Sequence, residues 1–239
     1  MGLIAALAMA GIAAAPMHAS GAAPHYPRIT RFPDAAVKAR MNARLAKLES
    51  DNRAGYRDCL SRLRATHEEP QDDSYWVDIK VGYLSRRYMS LEINSEEYCG
   101  GPRPLNGIMS PVTFDLSTAK EIDWKAEFKS GFFSQALNRL YIKHYPWTIT
   151  DAAQHESSNA AENPDHPSDD CKTMVDEGNN FLTPEDAVFR LRKGRGLVVT
   201  PIFTAYVMNC EEEVALPASE MAPYLKDKAL LFELRAMRR

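Results

Sequence analysis

The stretch Tyr83–Leu116, YLSRRYMSLEINSEEYCGGPRPLNGIMSPVTFDL, decides how this chain is read. Met89, Leu91 and Ile93 alternate with Ser90, Glu92 and Asn94, the period of a strand with one buried face. Val112, Phe114 and Leu116 alternate with Thr113 and Asp115 in the same way. Between them stands Cys99-Gly100-Gly101-Pro102-Arg103-Pro104. The glycines permit positive φ, and the prolines, with no N–H to give, stop a ladder. The stretch predicts strand, rigid turn, strand, with a cysteine at the turn as a candidate staple.

Working outward, Val77, Ile79, Val81 and Tyr83 share one face of a strand predicted over Trp76–Leu84. A polar connector, Thr66–Ser74, precedes it. Before that, Val37, Met41, Leu45 and Leu48, then Tyr56, Leu60 and Leu63, recur at helical spacing from Ala35 to about Arg64. This is one amphipathic helix or two broken near Asn52–Gly55, with Asp34 as N-cap. Its basic residues are diluted by Glu49, Asp51 and Asp58 and read as a solvated face.

Downstream, Asp115 is expected to satisfy the turn that follows it through its own side chain. Gly131–Tyr145 reads as a helix with Phe133, Leu137, Leu140, Tyr141 and His144 on one stripe, where His144 is a packing or boundary residue. Pro146 ends it. A polar insertion covers about 148–170. Ala187–Leu191 and Leu197–Phe203 flank Lys193-Gly194-Arg195-Gly196 as a hairpin. A short strand at Glu213–Leu216 and two helical stretches, from Pro217 and over Leu230–Met237, finish the chain. The fold class is α+β: an antiparallel sheet packed by a long N-terminal helix and further helices.

The chain has 239 residues and a net charge of −3, which argues against a nucleic-acid partner. Leu3–Ala15 is an apolar run too short to span a bilayer. With Ser20-Gly21-Ala22 after it, it reads as a signal peptide over 1–22, cleaved near Ala22, and implies a periplasmic or secreted protein. Residues 23–74 form the lead and helix, and 75–239 the α+β domain. No membrane span is expected.

Four cysteines in an exported chain favour two disulfides. The sequential pairing, Cys59–Cys99 and Cys171–Cys210, is preferred. Each bridge closes a loop of about 40 residues, worth on the order of 3–4 kcal/mol.

No phosphate loop, dinucleotide fingerprint, nucleophile elbow or zinc-protease motif occurs. No cofactor and no metal are expected; His155, Asp165, His166, Asp169 and Asp170 lie in the polar insertion and read as solvated. Glu92, Glu96, Glu97, Asp115 and Asp123 are the acids from which a glycosidase pair would be drawn. Arg103, held between two prolines, presents a guanidinium at little entropic cost. Tyr98 beside it, with Tyr88 and Trp76 on the adjoining strands, supplies aromatic surface of the kind that sugars and protein partners use. These four are the candidate binding residues.

Tyr98-Cys99-Gly100-Gly101-Pro102-Arg103-Pro104, followed by Pro111-Val112-Thr113-Phe114-Asp115-Leu116-Ser117-Thr118-Ala119-Lys120, resembles the core motif of an extracytoplasmic domain. That domain is shared by the lysozyme-sensing anti-sigma factor RsiV and the non-catalytic part of the peptidoglycan deacetylase PdaC. Phe181-Leu182-Thr183-Pro184 and Val214-Ala215-Leu216-Pro217 fit its C-terminal signature, so the resemblance covers about 76–234. Arg103 stands where that family has His, and Ala119 where it has Gly. The resemblance implies a non-enzymatic envelope domain whose ligand is lysozyme or peptidoglycan fragments. An envelope polysaccharide hydrolase drawing on the acids near 92–123, and a structural envelope protein, are the alternatives.

Overall fold

All strand pairings among the described residues are antiparallel, and with the helices they make the fold α+β. The computed structural model describes residues 12–13, 25–66, 75–97, 99, 106–145, 182–185, 187–202 and 213–237. The chain divides into two compact units, Met1–Ile122 and Asp123–Arg239.

In the first unit a short strand, β1 (Ile12–Ala13), pairs with β2 (Arg28–Ile29). Helix α1 runs from Ala35 to Ala65. Asp34 caps it, its carboxylate accepting the N–H groups of Ala36 and Val37 at 2.8 and 2.9 Å, a contact worth ~1 kcal/mol. The helix does not break at Gly55, although glycine there costs ~1 kcal/mol relative to alanine. Ion pairs four residues apart flank that point, Arg53 with Glu49 and Arg62 with Asp58. Buried Cys59 and Leu63 fasten the far half.

Five strands form the sheet: β3 (Tyr75–Leu84), β4 (Tyr88–Glu97), β5 (Asn106–Met109), β6 (Val112–Asp115) and β7 (Lys120–Glu121). Their order is β3-β4-β6-β7, with β5 also on β4. Strand β5 was not foreseen; Ser110-Pro111 separates it from β6, and a proline, lacking an N–H, is a natural place for the ladder to change hands. Val37, Met41 and Leu45 of α1 pack with Ile79, Met89, Leu91, Ile93, Phe114 and Leu116 of the sheet. A bulge between Val81 and Tyr83 shifts the register. It turns Leu84, rather than the expected Tyr83, onto this core. In the turn after β6, Asp115 accepts from the Ser117 N–H at 2.8 Å and its hydroxyl at 2.6 Å, as foreseen. Ala119 there sits at φ +57°, a conformation glycine adopts without strain.

The second unit carries α2 (Trp124–Glu127), a π-helical turn (Phe132–Leu137) leading into α3 (Asn138–His144), and the sheet β10-β9-β8, in which β8 is Ala187–Arg192, β9 Gly196–Pro201 and β10 Val214–Leu216. Helices α4 (Ala218–Met221) and α5 (Lys228–Ala236) follow. The β8–β9 turn places Gly194 and Gly196 at φ +77° and +83°, so the predicted hairpin is present and its glycines are required. The π-helical turn rotates the expected stripe: Phe132 is buried and Phe133 only half-buried. Both rings still join one aromatic cluster, Phe132 stacking on Phe128 at 3.9 Å and Phe133 meeting it edge-on at 5.5 Å. Asn138, in α3, donates to the Leu182 carbonyl at 3.1 Å and accepts its N–H at 2.9 Å. The polar insertion between them lies outside the described residues.

Candidate functional site: the β4–β5 hairpin end

β4 reaches its end at Glu97, which pairs with Asn106 at the start of β5. The stretch from Glu97 to Asn106 is therefore closed at its two ends by a ladder pair. A covalent bond holds it as well: Cys99 is bonded to Cys59 of α1, with their Cα atoms 4.7 Å apart. The predicted first bridge is thus present. Cys171 and Cys210, the predicted second pair, lie outside the described residues. Helix geometry explains the reach. Cys59 stands fourteen residues beyond Leu45, the last core residue of the helix's first half, or ~21 Å along the axis. The same helix that covers the sheet core thereby arrives at the hairpin end.

The candidate binding residues are not all at this end. Trp76 occupies the β3 position opposite Glu96, one pair from the loop base. Tyr98 and Arg103 lie outside the described residues, as does the Trp76 side chain. Tyr88 begins β4, nine positions from Glu97 at the strand's other end and so ~30 Å away along it. It is 1% exposed, with the Arg87 guanidinium 5.3 Å from its ring centroid. A ring so covered offers no face to an external ligand; its geometry is that of a packing residue.

The candidate acids divide as well. Asp115 serves its turn and pairs with Arg87 at 3.4 Å. Asp123 caps α2, accepting from the Lys125 and Ala126 N–H groups at 3.0 and 3.3 Å. Glu92 lies over Gly82, where an added Cβ would fall 2.7 Å from its Oε1. The bulge glycine therefore makes room for that carboxylate. Across the ladder Glu92 faces Lys80, and Asp78 faces Asn94. Asp78, which sequence reasoning passed over, is 3% exposed. Lys80 Nζ sits on its Oδ2, while Oδ1 has no hydrogen-bond partner among the described residues. Alternation along β3 marks the position, but nothing in the sequence signals an acid sealed from solvent. Glu96 and Glu97 belong to β4, and their side chains are not described.

His144 is, as expected, a boundary residue. Its Nε2 lies 3.0 Å from Glu220 Oε1, and Lys143 Nζ contacts the same carboxylate at 3.0 Å. The Lys143 hydrogen bond is the main reason the Glu220 carboxyl is held below the usual carboxylate value, against partial burial. Among the described residues no group of three or more His, Cys, Asp or Glu could hold a metal ion, and no helix is long and apolar enough to cross a membrane.

No family model matches the chain. No curated protein matches it either. Five chains among the solved structures match. One is the crystal structure, at 2.30 Å, of a member of the DUF3298 family from Bacteroides fragilis NCTC 9343; it is 16% identical, covers 88% of this chain and 87% of that chain, and has a TM-score of 0.53. At that identity the likeness is one of fold: the chain is similar in architecture to a DUF3298-type domain.

Proposed function

We propose that this chain is a non-enzymatic binding domain of the bacterial cell envelope, periplasmic or secreted, related to the domain shared by RsiV and PdaC. Its ligand is lysozyme or a peptidoglycan fragment, taken at the hairpin end around Tyr98–Leu105. The observation that carries this reading is the Cys59–Cys99 bond, which together with the Glu97–Asn106 pair fixes the base of that loop. A recognition loop on a fixed base loses less freedom on binding than one on a mobile stem. Arg103 and Tyr98 supply the charge and the ring within it. A second bridge, Cys171–Cys210, belongs to the same reading.

The test is incubation of the purified chain with lysozyme and with soluble peptidoglycan fragments. Co-elution without turnover, weakened by Arg103→Ala, supports the proposal. Release of shorter fragments overturns it in favour of an envelope hydrolase. Neither binding nor release leaves a structural envelope protein. Comparing gel mobility with and without reductant, for the wild type and Cys171→Ser, decides the second bridge.

A further inference from the structure

In the second unit three exposed cations are held, among the described residues, by neutral acceptors and not by carboxylates. Lys129 Nζ donates to the Pro223 carbonyl at 2.8 Å, Lys226 Nζ to the Ala126 carbonyl at 2.7 Å, and Arg139 Nη2 to the Tyr224 hydroxyl at 3.1 Å. An ammonium has several donors and a guanidinium more, so each keeps hydrogens, and its whole charge, for a further acceptor. The charges beside them are committed elsewhere. Lys125 pairs with Glu185 and Lys143 with Glu220, and Asp227 takes the Ala229 N–H at the start of α5.

The backbone brings the three together. Phe128 and Leu225 form an antiparallel bridge. Beside it the Lys129 N–H donates to the Tyr224 carbonyl at 2.8 Å and the Lys226 N–H to the Glu127 carbonyl at 2.9 Å. Phe128 and Leu225 are buried, so alternation sends Glu127, Lys129, Tyr224 and Lys226 to the other side. Lys129 and Lys226 stand diagonally across the bridge, ~7–8 Å apart at Cβ. Arg139 comes from α3 and meets this face at the outer end of the Tyr224 side chain. Glu127 is half-buried and balances one of the three charges.

We propose that this face binds a linear polyanion carrying phosphate groups at regular intervals, in a chain whose overall charge is −3. Cations already pinned by hydrogen bonds lose little side-chain freedom when an anion arrives. Pinned to three separate acceptors, they do not converge on one small ion. Successive phosphates of one polymer meet them in turn, Arg139 with the planar fork that suits a phosphate. A membrane surface is a poorer fit, because it is recognised by clusters of about four to eight Lys or Arg, or by an apolar face laid into the lipid. This face has three cations, and the apolar residues of the bridge are buried. The site belongs to the second unit and does not depend on what the hairpin end binds.

The test is the fluorescence anisotropy of labelled linear inorganic polyphosphate titrated with the full chain. Binding is expected at low salt and should weaken about twenty-fold between about 50 and 200 mM, the dependence set by three phosphate contacts to a flexible strand. Lys129→Gln, Lys226→Gln and Arg139→Gln should each weaken it about two- to five-fold, the size of a screened exposed contact. Lys129→Gln combined with Lys226→Gln should weaken it more than Arg40→Gln combined with Arg44→Gln, which removes the same charge from exposed positions of α1. Equal losses in the two double variants overturn the site, because they report net charge alone. Absence of binding overturns it as well, and so does inorganic orthophosphate that competes as well as the polymer at equal phosphate. Sedimentation with vesicles of equal parts phosphatidylglycerol and phosphatidylcholine is the membrane arm. Pelleting that depends on Lys129 and Lys226, without polyphosphate binding, overturns the polymer in favour of a lipid surface.

Discussion

Two glutamates, one in each unit, gather several cations, and they do opposite work. Glu213, just before β10, takes Arg190 and Arg192 of β8 and Arg195 of the β8–β9 turn, the last at 2.7 Å. Arg190 is 1% exposed and also donates to Thr200 at 3.0 Å. Glu49 takes Arg28 from the lead and Arg53 from its own helix, both about a third exposed. A buried guanidinium demands its carboxylate, because leaving it uncompensated costs several kcal/mol; an exposed one does not. Glu213 therefore belongs to the integrity of its sheet. Glu49 only attaches a peripheral segment.

The comparison can be broken most directly at Glu213. Glu213→Gln is expected to destabilise by ~3 kcal/mol or more in urea unfolding, because it strips a carboxylate from buried Arg190. A loss no larger than that of Glu49→Gln would show that burial does not distinguish them. The two asparagine clamps give a second contrast. Asn42 holds the Ile29 N–H and carbonyl at 2.8 and 3.0 Å in a partly buried setting, whereas Asn138 holds those of Leu182 in a buried one. Asn138→Ala should cost ~2–3 kcal/mol and Asn42→Ala ~1–2 kcal/mol, since only the former leaves both backbone groups sealed from water. Glu49→Gln should cost less than ~1 kcal/mol, with the loss confined to faster exchange in the lead.

Acid sharpens the contrast further. Glu49 and Glu220 both have native carboxyls held below the ordinary value of 4.5. A depressed carboxyl contributes its full stability above that ordinary value and loses it as pH falls through the lowered native one. Glu220→Gln should flatten the acid limb of unfolding in the second unit, and Glu49→Gln the acid loss of lead protection, measured by exchange. The smallest effect is expected at Ala119. Ala119→Gly relieves a left-handed alanine, worth ~1 kcal/mol, but removes a buried methyl worth ~0.8 kcal/mol, so the unfolding free energy should change by less than ~0.5 kcal/mol.

Much of this architecture is written in local signals. Alternation over Met89–Ile93 and Val112–Leu116 predicted the strands, Asp34 the helix start, and an even cysteine count at a rigid turn the Cys59–Cys99 bond. What escaped depends on partners distant in sequence. Four residues, Asn106–Met109, are too few to show a period, and they become a strand because β4 continues past Asn94 to meet them. The Gly82 bulge looks like an ordinary strand residue until Glu92 is seen lying across it. Arg190 stands within an otherwise apolar strand, and its burial depends on partners distant in sequence such as Glu213. Of the candidate binding residues, Trp76 and Tyr88 both sit on strands beside the turn in sequence, yet β4 carries Tyr88 to the far end.

The Asn138–Leu182 clamp has a consequence for how this chain can change over time. It ties α3 to the backbone of a residue 44 positions on, through two hydrogen bonds that use only Asn138 and Leu182. The closure entropy of such a segment grows only logarithmically, ~0.6 kcal/mol for each doubling of length. A change of length between those two points leaves both hydrogen bonds of the clamp available. Homologues should vary widely in length there while keeping an amide side chain at the position of Asn138.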